Sequence, residues 1–214
     1  TYGFNHGPGV PAAVDRWLTE SFEGRVVPRL AAMGHLPAPY ITFRGDEPRT
    51  GIDFGSSRPR YSTGYAPLQC RPSILVETHM LKPYETRVRA TYDLLIALLE
   101  EISARPEELV RAVAEAEGEV IARGRESDPA RREVTLRTRT TDRSVPFDYK
   151  GVVARREASD IAGGPVPRYT AAPWDTIIPL FRDMVATLTI RQPAGYVVPQ
   201  EWAICRDKLD LHGV

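Results

Sequence analysis

The chain has 214 residues, with 28 Lys and Arg set against 28 Asp and Glu, so its formal net charge is zero. That balance excludes bulk electrostatic attraction to nucleic acid or to an anionic membrane, and no apolar run approaches the ~18 residues that a membrane span needs. At 42% hydrophobic and 26% charged residues, the chain has the means to bury a sizeable core.

The first pattern is helical. Val14, Trp17, Leu18 and Phe22 recur at helical spacing, and Val26, Val27 and Leu30 continue the stripe. This predicts an amphipathic helix over 11–33, opened by Pro11 and stopped by Gly34, with Pro28 kinking or splitting it near Val26. A short strand is expected at 40–43. Residues 44–64 lack periodicity and are rich in Gly, Pro, Ser and Arg, which reads as a long loop of the kind that often carries function.

Residues 71–79, Arg-Pro-Ser-Ile-Leu-Val-Glu-Thr-His, are the most informative stretch. Residues 73–76 read as a short buried strand introduced by Pro72. The strand runs into Glu77 and then His79, which share a side because strand side chains alternate. A carboxylate at the carboxyl end of a core strand, before a strand-to-helix loop, stands where open α/β sheets place their sites. Glu77 is therefore a candidate base, and a structural ion-pair partner is the competing reading.

Beyond it, Val88, Tyr92, Leu95, Ile96, Leu99 and Ile102 predict a core-facing helix over 85–104. Pro106, Glu107 and Glu108 open a third helix running towards Arg123, with Leu109, Val113, Val120 and Ile121 facing inward. After Pro129 the texture changes to strict alternation. Strands are expected at 133–140, 150–155, 185–190 and 195–198, with a closing helix and tail around Trp202, Leu209 and Leu211. The alternating Thr/Arg strand lacks the aromatic interleaving that a nucleic-acid surface uses, and reads as an edge strand. The whole predicts an α/β region over 1–128 followed by a small β-rich domain over 129–214.

Several chemical motifs are missing. There is no phosphate loop, Gly-x-Gly-x-x-Gly or Gly-x-Ser-x-Gly, and no Cys pair at zinc-finger spacing. None of His6, His35, His79 and His212 is followed three residues later by an acid, and no two stand at metal-ligand spacing. His6 lies in Asn5-His6-Gly7-Pro8-Gly9, which reads as a turn rather than the rigid support a metal site needs. Cys70 and Cys205 leave one disulfide or two free thiols open, and with them the compartment.

The run RPSILVETHMLKPYETRVRATYDLL over 71–95, with RYSTGYAPLQC over 60–70 before it, resembles the second half of zinc carboxypeptidases of the carboxypeptidase A type, in particular a bacterial branch. The resemblance covers roughly residues 1–104 and is specific around 58–95. The segment RQPAGYVVPQEW, 191–202, resembles an extra domain of the same branch. The resemblance implies the second half of a mixed sheet with packed helices. It implies Glu77 as the general base acting on a zinc-bound water, and peptide or amide-linked carboxyl-terminal residues as substrate. It also implies a loop tyrosine near the substrate carboxylate. Tyr61 and Tyr65, with Arg60 beside them, are the residues on which that role falls, although they stand closer to Glu77 than in well-known members. The family's His-x-x-Glu pair, third His and intervening Arg are not found. The expectation is therefore a fragment whose partner is the missing amino-terminal half, with zinc in the complete enzyme and none held by this chain alone. The alternative is a non-catalytic interaction module retaining half the fold. A secreted or periplasmic location is compatible with either, and the compartment stays open.

Overall fold

A long interrupted helix forms one side of the core in the computed structural model, which describes residues 1–193 and 195–213. It runs through α1 (Ala12–Trp17), a π-helical segment (Leu18–Val26) and α2 (Val27–Ala32). The junction at Val26/Val27 is where Pro28 was expected to act. Proline cannot donate to the preceding turn, and here the chain changes hydrogen-bond register without breaking. The predicted stripe is buried as read: Val14, Leu18, Phe22, Val26 and Leu30 are all nearly inaccessible. Gly34 then ends the helix with a positive φ of 87°.

Around this helix the chain builds a small sheet. β1 (Tyr2–Gly3) pairs antiparallel with β3 (Leu75–Val76). On its other side Tyr2 bonds Ala38 and Tyr40, forming a parallel bridge at Pro39. The strand expected at 40–43 thus shrinks to bridges at Pro39 and Phe43, and the one expected at 73–76 shrinks to two half-buried residues. Both segments still flank the same strand. The interval 44–64 is not a featureless loop either. It contains a 3-10 turn, Pro48–Thr50, and β2 (Ile52–Asp53), and it leads into α3 (Ser62–Tyr65).

Two long helices follow, α4 (Tyr84–Ala104) and α5 (Pro106–Arg125). Their inward faces differ from the expectation. On α4, Leu94 and Ala97 are buried, whereas Val88, Tyr92, Leu95 and Leu99 are each about half exposed or more. On α5 the buried residues are Ala112 and Ala116, and Val120 and Ile121 face out. Small side chains let α5 approach α1 closely, and close packing favours the face that can interdigitate over the most apolar one. Arg25 ties the layer together, donating to Glu101 and to Glu108 at 2.5 Å each and to Ser21 Oγ at 2.6 Å.

The remainder is β-rich. β4 (Glu133–Thr140) pairs antiparallel with β7 (Met184–Arg191), and β5 (Val145–Glu157) with β6 (Val166–Phe181). The expected strands at 133–140, 150–155 and 185–190 lie within β4, β5 and β7. Residues 195–198 form no strand. The closing helix is α6 (Ala203–Leu211). β6 was not anticipated, and it carries three prolines, Pro167, Pro173 and Pro179. Over most of its length β6 pairs with β5 alone, and its other edge is open, where a missing N–H costs nothing. The end of β6 also pairs parallel with β2, Ile52 opposite Leu180, and Ile178 and Leu180 join the same apolar cluster as Phe22 and Phe54. The portions before and after residue 129 therefore share a sheet and a core. The architecture is mixed α/β, with helices and several small sheets. No helix among the described residues is long and apolar enough to cross a membrane. Cys70 is buried, Cys205 is exposed, and both thiols are free.

Candidate functional site

An aromatic cluster fixes the site's floor. Tyr2 and Phe4 lie nearly parallel and meet Phe22 and Phe54 edge to face, with centroids 5.2 Å apart for Tyr2–Phe22 and 5.4 Å for Phe4–Phe54. The chain beyond β1 then grips the segment after β2. Asn5 acts like an extra peptide unit, donating from Nδ2 to the Ser57 carbonyl at 2.8 Å and accepting the Ser57 N–H at 2.7 Å. The Ser56 hydroxyl donates to the His6 carbonyl at 3.1 Å.

His6 is not in a turn. It is buried, stacks on Phe54 with centroids 5.2 Å apart, and its Nε2–H donates to the Phe54 carbonyl at 2.7 Å. Burial lowers its pKa, with the Arg182 charge adding to the effect and the hydrogen bond to Phe54 opposing it. The ring is thus held neutral and spent on the backbone.

The cleft above this floor has a volume of about 920 Å³ and is bordered by Arg44, Asp53, Ser57, Tyr61, Thr63 and Glu77. Arg44 lies over the Phe181 ring at 3.5 Å, bonds Asp142 at 2.9 Å and the Thr141 carbonyl, and stands 3.5 Å from Asp53. Asp53 in turn accepts the Thr140 hydroxyl at 3.0 Å. One wall is therefore held in place by the β4–β5 turn region.

Glu77 follows β3 directly, and its backbone N–H donates to the Thr1 carbonyl at 2.9 Å. Its side chain is exposed and has no hydrogen-bond or ion-pair partner among the described residues. It borders both this cleft and a second pocket of about 470 Å³ beside α4. His79 is also exposed, and its Nδ1 accepts the Leu81 N–H at 3.2 Å.

The other expected residues divide. Tyr61 borders the cleft with Glu77. Arg60 stacks on the Tyr61 ring and donates to its hydroxyl at 2.9 Å, so it acts on the cleft only through that phenol. Tyr65 is elsewhere, sharing a 2.6 Å hydrogen bond with His212 Nδ1 in the tail. Sequence reasoning missed Arg44, Asp53 and Ser57 as individuals. They lie inside the segment 44–64, and the contacts that bring them to the cleft, Asn5 with Ser57, the β2–β6 pairing and the β4–β5 turn, come from distant parts of the chain.

The donor set does not suit zinc. Among the described residues no three His, Cys, Asp or Glu side chains come together as a metal cage. His6 and His79 are engaged as above, His35 Nε2 lies 2.8 Å from Asp93, and His212 meets Tyr65. Compared with protein-family models, with curated proteins and with solved structures, the chain finds no match.

Proposed function

We propose that this chain carries the general-base side of a carboxypeptidase-type site that cleaves a peptide or amide-linked carboxyl-terminal residue. The observation that supports it is the position of Glu77. The strand end delivers an unpaired carboxylate to the rim of a cleft that also takes the Tyr61 phenol. The ion-pair alternative for Glu77 rests on the Thr1 ammonium, whose charge couples to the carboxylate without an ion-pair contact. The step assigned to this chain is proton transfer: Glu77 takes a proton from the attacking water and returns it to the departing amine. Tyr61, with Arg60 behind its hydroxyl, stands where it can donate to a substrate oxygen. The residues present do not fit a zinc ion, so the metal-holding side chains of such an enzyme would lie on other polypeptide, and no step here is routed through the metal.

The test is hydrolysis of a blocked dipeptide with a free carboxyl terminus, in the presence of zinc, by this chain assembled with the polypeptide that supplies the metal-holding side chains, wild type beside Glu77→Gln. Gln keeps the shape and cannot accept a proton, so turnover should fall ~10²–10⁴-fold. The melting temperature should stay unchanged, because the exposed side chain makes no contact to lose. An active Glu77→Gln protein would end the reading. The alternative of a non-catalytic interaction module draws on the uncovered stripe of α4, Tyr84, Val88, Tyr92, Leu95 and Leu99. It expects no hydrolysis from either protein.

A further inference from the structure

The face that α4 turns away from the core is apolar and uncovered. Val88, Tyr92, Leu95 and Leu99 are each about half exposed or more, while Leu94 and Ala97 on the opposite side are buried. Monomeric proteins seldom leave a continuous apolar stripe in water. These four residues follow one another at steps of four, three and four along the helix. That alternation is the seam of a two-helix pair, which keeps to one side of each helix.

The stripe also reads the same from either end. Turned by a half-rotation about a point between Asp93 and Leu94, a second α4 sets its Leu99 against Val88 and its Leu95 against Tyr92. An interface between two copies related by a two-fold axis has to be self-complementary in this way. The charges obey the same symmetry. Arg89 and Glu100 lie on one flank of the stripe, towards its two ends. In an antiparallel pair, like flanks face each other, so Arg89 of each copy meets Glu100 of the other. In a parallel pair the flanks fall on opposite sides, and these charges stay apart. Both groups are within reach of solvent. The Arg89 side chain is 76% exposed, and its one ion-pair contact, to Asp93, is long at 3.9 Å. Glu100 is 54% exposed and meets Arg29, which leaves carboxylate lone pairs for a second guanidinium.

We infer that α4 docks a second copy of this chain, antiparallel, with Val88, Tyr92, Leu95 and Leu99 forming the apolar seam and an Arg89–Glu100 pair near each end. The large Tyr92 ring, packed on Leu95 of the other copy, is the anchor such an interface uses. The pairing does not depend on whether the chain takes part in hydrolysis.

Sedimentation of the complete chain over a concentration series tests it. The mass should rise from 23.9 kDa to twice that value as concentration passes through the ~micromolar range of a modest interface. Leu95→Asp, at an exposed position, should leave a folded monomer, with unchanged far-ultraviolet circular dichroism. Arg89→Glu and Glu100→Arg should each weaken the dimer about tenfold, because each change acts twice and sets like charges together. Combining the two reversals should restore association to near the wild-type level. The inference is overturned if the wild-type chain stays monomeric, or if it dimerises equally well with Leu95→Asp. It is overturned equally if the combined reversal fails to recover what the single ones lose, since the copies would then meet in another register. Protection of the α4 stripe only on adding a different polypeptide would assign the face to that partner instead.

Discussion

Individual side chains here are tuned mainly by burial. Tyr2 and His6, four residues apart, are shifted in ways that both oppose charging. The Tyr2 phenol is pushed up by burial first, and then by the Glu23 carboxylate that accepts its hydroxyl proton at 3.1 Å. With the folded pKa raised, the native state keeps its proton while the unfolded chain loses one. Stability is therefore complete below the ordinary tyrosine value of 10.0 and declines as pH climbs above it. His6 works the other way. Its folded pKa is lowered, so its contribution is complete above the ordinary value of 6.5 and declines as pH falls below that, where the unfolded imidazole protonates first. Melting temperature followed against pH should fall on both sides. Tyr2→Phe should blunt the alkaline fall, and His6→Gln, which can still donate to the Phe54 carbonyl, the acid one. Unchanged profiles would mean that neither ring titrates with folding.

Among the elements, β2 is small but decisive. Gly51 precedes it with a φ of 92°, and a Cβ there would stand 2.6 Å from the Pro179 carbonyl oxygen and 2.7 Å from the Phe181 ring. Only glycine lets this strand lie against β6. Gly51→Ala should cost more than about 1 kcal/mol, since strained φ and steric overlap add. It should also loosen the Arg44–Asp53 wall, and hydrogen exchange at Asp53 and Phe54 would report the opening. The π-helical segment presents the opposite case, an element stabilised by its contacts. Phe22 is fully buried at its centre. Phe22→Ala should cost about 3–5 kcal/mol in lost transfer energy and cavity, measured by denaturant unfolding.

At the scale of the molecule, sheet pairing, core packing and an ion pair are among the links that bind the β-rich part to the helical part. β6 pairs with β2, Ile178 and Leu180 enter the shared core, and Arg182 donates to Glu23 at 2.7 Å. Glu23 is largely buried, so losing its cation leaves a carboxylate supported by Tyr2 alone. Arg182→Met should cost about 2 kcal/mol, the scale of a hydrogen bond to a charged group. Tyr2→Phe should not add independently to it, because both act on Glu23. The shared sheet also predicts one cooperative thermal transition, coincident by far- and near-ultraviolet circular dichroism. Two separated transitions would show that the residues beyond 129 melt alone.

Local signals settled what local physics controls. The buried stripe from Val14 to Leu30, the effect of Pro28, the entry to α4 after Lys82 and the alternation of β4 all follow from periodicity and backbone chemistry within a few residues. Glu77 at a strand end was legible for the same reason, whereas Tyr61 was named only through the family resemblance. Tertiary packing decided the rest. The most apolar face of α4 lost to the face carrying Leu94 and Ala97, because shape at the contact outweighs hydrophobicity along one helix. β6 kept its strand despite three prolines, because β5 and β2 supply pairing that no local pattern announces. Tyr65 went to His212, 147 residues away, and Arg44 and Asp53 acquired their places through contacts with the distant β4–β5 turn. Interactions across such separations depend on the closed fold, and a linear reading has no term for them.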